Sequence, residues 1–305
     1  TKVSVMNEFK QICDKIGADW NTALDGFASD GRIGDSHLNV PGHDGRKGFG
    51  GACFPKDSLA LVKYAKNKDV NLSIIIVLYN QAHLSLLCLK SILHHADVEY
   101  EVVIVDNAST DRTEDLLSRI DNAKVVSNKE NIGFLKAVNQ GGEISKGKYI
   151  LLLNNDAILR EKSLSRAIHT IEESKDIGAV GGKIELIDGT LQEAGNIIWN
   201  DGSCIGYGRG KNPADPQFMF KRQVDYCSGA FLLFRKTDFL ALNGFDTSFS
   251  PAYYEETDFC IRLHKLGLKV IYDPSVVIVH YEFGSSGNIS YLCTIGMHLL
   301  IVLKE

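Results

Sequence analysis

Three apolar runs that each stop on polar residues constrain this chain more than anything else in it. "LSIIIVLYN" (72–80), "EVVIVDNAS" (101–109) and "YILLLNND" (149–156) are separated by stretches with helical patterning near 82–95, 111–120 and 133–145, and a further short run, "AKVVSN", lies between the last two helices. Continuous apolar runs of this length read as strands covered on both faces. Their alternation with helices makes a β-α-β series, which predicts an α/β fold with a largely parallel sheet. In such a sheet ligands sit at the carboxyl ends of the strands. The polar sets Tyr79 and Asn80, then Asp106, Asn107 and Ser109, then Asn154, Asn155 and Asp156 all fall at that one edge.

Composition narrows what such an edge would bind. The 305 residues carry a formal net charge of −5 with cations and acids interspersed, so there is no broad basic surface and nucleic acid is not the expected partner. Seven cysteines without C-x-x-C pairs read as reduced thiols of a cytoplasmic protein. The opening "TKVSVMNEFKQICDK" lacks the continuous apolar core of a signal peptide. The last stretch has an apolar run at Tyr291–Leu303 that is shorter than the ~20 residues needed to span a bilayer. It reads as a surface-seeking helix or an altered chain end, which leaves peripheral association with the inner face of the membrane open.

Residues 1–70 have another texture, with helical patterns at each end around a Gly/Asp/Ser-rich stretch and almost no strand signal, so a boundary is expected at Asp69–Asn71. "DGRIG" (30–34) and above all "GFGGACFPKD" (48–57) resemble the UDP-glucose dehydrogenase family of nucleotide-sugar 6-dehydrogenases. The resemblance implies that Cys53 matches the cysteine carrying the thioester intermediate, with Asp57 polarising water and Gly48–Gly51 shaping the sugar site. That chemistry needs a nicotinamide cofactor, and no G-x-G-x-x-G opens a β-α-β unit in this sequence. The segment therefore reads as a severed piece of a dehydrogenase, and Cys53 as the vestige of its nucleophile.

Residues 72–287 resemble the family 2 inverting glycosyltransferases of the GT-A fold. The resemblance rests on eight motifs in order: "SIIIVLYN", "VIVDNASTD", "NKENIGFLKAVNQG", "LLLNNDAIL", "CSGAFLLFRK", "GFDTSF", "YYEETDFCIRLHKLGLKVIYDP" and "VVIVHYEFGSSG". It implies a nucleotide-sugar donor, a UDP- or dTDP-sugar, and a glycan or lipid-linked acceptor in cell-surface polysaccharide synthesis. Base and ribose need hydrogen-bonding groups at strand ends, which Asp106, Asn107 and Ser109 offer beside Tyr79 and Asn80. Gly133 would let the backbone approach the nucleotide, Asn155 joins the nucleotide set, and Asp111 is expected to cap the helix after it. The diphosphate calls for Mg2+ or Mn2+. Asp156 stands in the position of the family's D-x-D motif, whose first acid is here Asn154, and His280 matches the family's histidine.

An inverting transfer needs a general base for the acceptor hydroxyl. "YYEETDFCIRL" offers Glu255, Glu256 and Asp258, and in a helix Glu255, Asp258 and Arg262 share a face on which they can pair. By family position Glu256 is the base, with Asp258 structural through Arg262. The Gly/Asp/Asn-rich stretch 183–222 is expected as loops and short strands beside the acceptor cleft, with Tyr226–Ala230 near the acceptor and Cys227 as packing. A catalytically silent sugar-nucleotide-binding module is the alternative from another class.

Overall fold

The computed structural model describes residues 10, 13–14, 17–28, 71–250 and 253–282. The "GFGGACFPKD" motif with Cys53, the helical pattern at 58–66 and the apolar tail at 291–303 lie outside the described residues. The chain divides into two compact units, Thr1–Lys68 and Asp69–Glu305. In the first, helix α1 (Trp20–Ala28) starts where Asp19 accepts the Thr22 amide and hydroxyl, both at 2.8 Å.

The second unit begins with strand β1 (Leu72–Leu78), whose seven residues are all buried, as a strand covered on both faces requires. Then follow α2 (Ala82–His95), β2 (Tyr100–Asp106), α3 (Thr113–Leu117), β3 (Ala123–Ser127), α4 (Phe134–Ile144), β4 (Tyr149–Leu153), β5 (Ala157–Leu159) and α5 (Ser163–Glu172). The remainder comprises β6 (Ile177–Leu186), β7 (Leu191–Glu193), β8 (Asn196–Ile198), β9 (Cys204–Gly206), β10 (Arg222–Val224), β11 (Phe231–Arg235), α6 (Lys236–Ala241), α7 (Glu255–Lys265) and β12 (Lys269–His280). The expected β-α-β series is present through β4. The stretch expected as loops and short strands holds β7 to β10.

The main sheet runs β10-β12-β6-β11-β4-β1-β2-β3, with β5 paired to β12 and β7 to β6. Strands β1 to β4 pair in parallel, and β11 enters antiparallel between β4 and β6. Among the described residues the two larger of three cores lie on opposite faces of the sheet because side chains alternate along each strand, and a small third one joins Leu191, Ala194, Phe218 and Tyr272. Leu72, Ile74, Ile76 and Leu78 join a cluster with Cys88, Leu89 and Ile92 of α2 and Leu164, Ile168 and Ile171 of α5. Ile75 and Val77 join the opposite cluster, with Leu135 and Val138 of α4 and Phe259 and Leu263 of α7. Helix α4 packs closely because it presents Gly141 to the sheet, where an added Cβ would lie 2.9 Å from Ile75 Cγ2. Among the described residues no helix is long and apolar enough to cross a membrane.

Candidate active site

The carboxyl ends of β1, β2 and β3 are tied together by side chains. Asn80 has a left-handed backbone, and its Oδ1 accepts the amides of Thr110 at 2.7 Å and Asp111 at 3.2 Å while its own amide donates to Ser109 Oγ at 2.8 Å. Asp106 Oδ1 accepts the Ser109 amide at 3.2 Å. Asp111 does more than the expected capping: one oxygen takes the Thr113 amide at 3.0 Å at the start of α3, and the other takes the Ala82 amide at 2.9 Å at the start of α2. These bonds hold its carboxyl below the usual range against the opposing effect of burial.

Asn107 lies inside this brace. Its Nδ2 donates to Asn131 Oδ1 at 2.7 Å, and its Oδ1 accepts Asn128 Nδ2 and the Ile132 amide at 3.2 and 3.1 Å. Asn131 Oδ1 also accepts the Gly133 amide at 2.9 Å, and Gly133 has a φ of +87°, a backbone conformation that favours glycine. The side chain of Asn155 is likewise turned inward, donating to Ser85 Oγ of α2 at 3.1 Å. Tyr79, by contrast, is exposed, and Asn80, Ser109 and Gly133 are partly open. The strand-end polar set thus divides into the more open Tyr79, Asn80, Ser109 and Asn154 and the buried Asp106, Asn107, Asn155 and Asp156, of which the first three are bonded to neighbouring loops or to α2.

Asp156 and His280 come together through strand register. His280 ends β12 directly opposite Ala157 of β5, and the Tyr281 amide donates to the Asp156 carbonyl at 2.9 Å. His280 Nε2 lies 3.0 Å from Asp156 Oδ1, and both side chains are almost fully buried. On the other side of the ring Nδ1 donates to Gln192 Oε1 of β7 at 2.8 Å, which turns the Nε2 position toward Asp156. Asn154 Nδ2 is 3.3 Å from the same Nε2. An oxygen and an imidazole nitrogen, with the imidazole fixed by a second partner, suit a hard divalent ion. Among the described residues no group of three or more His, Cys, Asp and Glu forms a closed metal cluster. An ion here would fill its remaining positions with water and diphosphate oxygens, as Mg2+ commonly does.

Helix α7 brings its acids to a second pole. Asp258 pairs with Arg262 at 2.7 Å, and Arg262 Nη1 donates to the carbonyls of Leu242 and Gly244, each at 2.9 Å. The expectation that Glu255 shares this pairing is corrected: its buried Oε2 makes no hydrogen bond, and Nη2 of Arg262 is likewise buried without one, so these two atoms do not meet. Burial first, and the neighbouring Glu256 second, push the Glu255 carboxyl well up. Glu256 is only partly exposed. Burial raises it as well, against its own backbone amide and that of Gly229, which favour the charged form.

Glu193 of β7 accepts the Ser228 amide at 3.1 Å and Asn196 Nδ2 at 3.0 Å, both on Oε1. Burial is the leading cause that brings Glu193 up to about 7. Cys227 is packing, as expected: it fills the space over Gly181, where an added Cβ would lie 2.3 Å from the cysteine Cβ. Gln192 and Glu193 were not singled out by their sequence. "DGTLQEAG" carries only a turn signal, and nothing in spacing links Gln192 to a histidine 88 residues away.

Residues 73–241 match the family model of glycosyl transferase family 2. The chain belongs to that family. Residues 1–80 match the central domain of the UDP-glucose/GDP-mannose dehydrogenase family. UDP-glucose 6-dehydrogenase of Rhizobium meliloti (strain 1021) is 46% identical over 68 residues, covering 22% of this chain and 14% of that protein. The chain therefore spans about one-seventh of the length of that curated relative. Among solved structures, GalNAc-T7 with UDP, GalNAc and Mn2+ superposes with a TM-score of 0.59 at 13% identity, over 70% of this chain and 44% of that one. Mannosyltransferase PcManGT from Pyrobaculum calidifontis, in complex with GDP-Man and Mn2+, gives 0.55 at 20% identity, over 82% and 72%. At these identities the likeness establishes the fold, which is GT-A.

Proposed function

We propose that residues 71–287 form a glycosyltransferase domain that moves a sugar from a nucleotide-diphosphate donor to a hydroxyl of a glycan or lipid-linked acceptor, with inversion, in cell-surface polysaccharide synthesis. The observation that carries this reading is the meeting of Asp156 and His280, 3.0 Å apart, beside the polar strand ends. Tyr79, Asn80, Asp106, Ser109 and Gly133 line the nucleotide side, while Asn107 and Asn155 act from within by fixing the loops. Asp156 and His280 would hold Mg2+ or Mn2+, which when bound supplies positive charge to the departing diphosphate.

Glu256 is the general base. It takes the proton of the acceptor hydroxyl as the oxygen bonds to the anomeric carbon and the bond from that carbon to the phosphate oxygen breaks on the opposite face. Burial favours a base whose affinity for a proton exceeds that of an ordinary carboxylate, which suits this work near neutral pH. Asp258 acts through Arg262 to hold the start of α7. The Mn2+ complexes of the two structural neighbours and the dehydrogenase match at residues 1–80 support a metal-assisted, nucleotide-sugar reading, with UDP- or dTDP-sugars as the donors to try first. We place the reaction in the cytoplasm, at the inner face of the membrane where the acceptor is lipid-linked, and read residues 1–70 as a dehydrogenase-like segment in which Cys53 performs no oxidation.

The test is release of nucleotide diphosphate from a panel of UDP-, dTDP- and GDP-sugars with Mn2+ or Mg2+ and with chelator. Release from one donor that stops in chelator is expected; silence across the panel with measurable donor binding would favour the second reading. That reading, a sugar-nucleotide-binding module without turnover, is favoured by one observation: an amide, Asn154, stands beside His280 in place of a second acid.

A further inference from the structure

Gln192, which meets the ring of His280, is held differently on the two sides of β7. Toward β6, Glu193 pairs with Ile184 and Leu191 with Glu185, which leaves Gln192 as an extra residue, a bulge whose side chain reaches His280 Nδ1 at 2.8 Å. Its placement therefore depends on the other side. There the stretch "GYGRG" (206–210) and the residue after it run alongside β7. The Gly210 amide donates to the Leu191 carbonyl at 2.7 Å, the Leu191 amide to the Lys211 carbonyl at 2.9 Å, and the Ala194 amide to the Tyr207 carbonyl at 2.9 Å. Gly208 and Gly210 have φ of +85° and +74°, so Arg209 stands between two backbone conformations that favour glycine.

Arg209 closes a ring. Its Nη1 donates to Glu282 Oε2 at 2.9 Å and its Nη2 to Glu282 Oε1, a two-pronged contact. Glu282 comes two residues after His280, so the path from His280 through Gln192, Leu191, Gly210, Arg209 and Glu282 returns to its start by hydrogen bonds and neighbouring residues alone. The Tyr207 end of the stretch is packed separately, with its ring 5.4 Å from that of Phe218 and 4.8 Å from the Arg222 guanidinium. The Arg209 end is fastened to the end of β12 by the ion pair. A single contact between exposed charges would hold little, but this pair is bidentate and the Glu282 side chain is only 17% exposed.

We propose that Arg209 and Glu282 are positioning residues for the donor site: their ion pair fixes the 207–211 loop against the end of β12, the loop fixes the bulge at Gln192, and Gln192 fixes the ring of His280 with Nε2 toward Asp156. The use of a fixed ring for a metal ion rests on the reading of Asp156 and His280 as its holders, whereas the fixing itself does not. An imidazole that keeps its proton on Nδ1 presents the bare Nε2, the form in which histidine ligates a metal. Without the clasp the bulge is free to shift, the Gln192 oxygen leaves Nδ1, and the proton divides itself between the two ring nitrogens.

The experiment is nitrogen-15 NMR of the full chain with the histidine rings labelled, at about pH 8, where an ordinary imidazole is neutral and the shifts report which nitrogen carries the proton. The chains are the wild type, Arg209→Met, Glu282→Gln and the swap that joins Arg209→Glu to Glu282→Arg, with His280→Gln to assign the resonance. We expect one tautomer, protonated on Nδ1, in the wild type, a mixture in each single variant, and return toward the wild type in the swap. Mn2+ binding in the presence of UDP, measured by calorimetry, is expected to weaken by about 3- to 10-fold in the single variants, less than the loss of a direct partner of a metal ligand. A His280 signal that ignores both single variants overturns the clasp, and so does a swap that folds without restoring it. Should the swap not fold, equal effects of the two single variants support the pair, and an effect of Arg209→Met alone overturns it. A wild type that binds no Mn2+ removes the metal reading and leaves the tautomer to decide the clasp.

Discussion

Replacing Arg262 with methionine removes one partner from a nearly closed ion pair while keeping most of the side-chain volume. Arg262 is 22% exposed and Asp258 only 9%, so the aspartate left behind has little water to turn to. Removing one member of a buried pair costs about 3–5 kcal/mol, and the partial exposure of the arginine puts this case near the lower end, about 3 kcal/mol. The carbonyls of Leu242 and Gly244 lose their donor too, which argues against a smaller figure. For a unit of this size ~1 kcal/mol corresponds to about 2–4 °C, so the melting temperature should drop by about 6–12 °C. Urea unfolding at neutral pH gives the free energy directly. Arg262→Lys, which keeps the charge without the planar fork, should fall between. A loss under about 1 kcal/mol for the methionine variant would falsify the claim that this pair anchors the start of α7.

Four further outcomes are expected. Asp156→Ala should abolish metal-dependent nucleotide release, and full activity of that variant in chelator would remove the metal assignment. Glu256→Gln should keep donor binding by titration calorimetry and lose transfer by about 10²- to 10⁴-fold, the usual contribution of a general base; if Asp258→Asn alone does this in a folded protein, the base is Asp258. Gln192→Leu takes away the partner of His280 Nδ1 and should weaken Mn2+ binding in the presence of nucleotide diphosphate by about 10- to 100-fold, with unchanged affinity as the contrary result. Burial opposes ionisation of Asp273, yet bonds from Ser275 and Thr170 and the charge of Lys221 hold its folded carboxyl below 3.8, so its stabilisation is present above that pH and is lost as pH falls through the folded value. Asp273→Asn should therefore flatten the loss of stability below about pH 4, and an unchanged acid limb would count against the assignment.

The half of the fold that sequence conveys is the half made by local rules. β1, β2 and β4 announce themselves as apolar runs, α2 runs from Ala82 to His95 as its pattern predicts, and the polar strand ends lie on one edge. What pattern cannot convey is pairing between distant strands. Nothing about "FLLFR" says that β11 inserts antiparallel between β4 and β6, and nothing about "QEAG" says that Gln192 meets His280. Polarity at a strand end is also ambiguous on its own. Asn80 is partly open while Asn107 and Asn155 are spent on neighbouring loops and on α2, a distinction set by which hydrogen-bond partners the fold brings near. Glu255 shows the same limit within one helix, since sharing a face with Arg262 gave its Oε2 no bond although Asp258 on that face is paired.

The register of β12 against β5 also has a consequence in time. Asp156 is 124 residues ahead of His280, and at ~5–20 residues per second the ribosome has been past the aspartate for about 6–25 s before the histidine is even synthesised. During that interval the parallel strands can already assemble around β1, with the nucleotide-side loops braced and the diphosphate side open. A slip of β12 by a single residue on docking would turn His280 to the other face of the sheet. A nascent chain therefore gains its nucleotide loops well before it gains the place for the diphosphate, and β12, the last of the described strands, acts as the inspection step for that site.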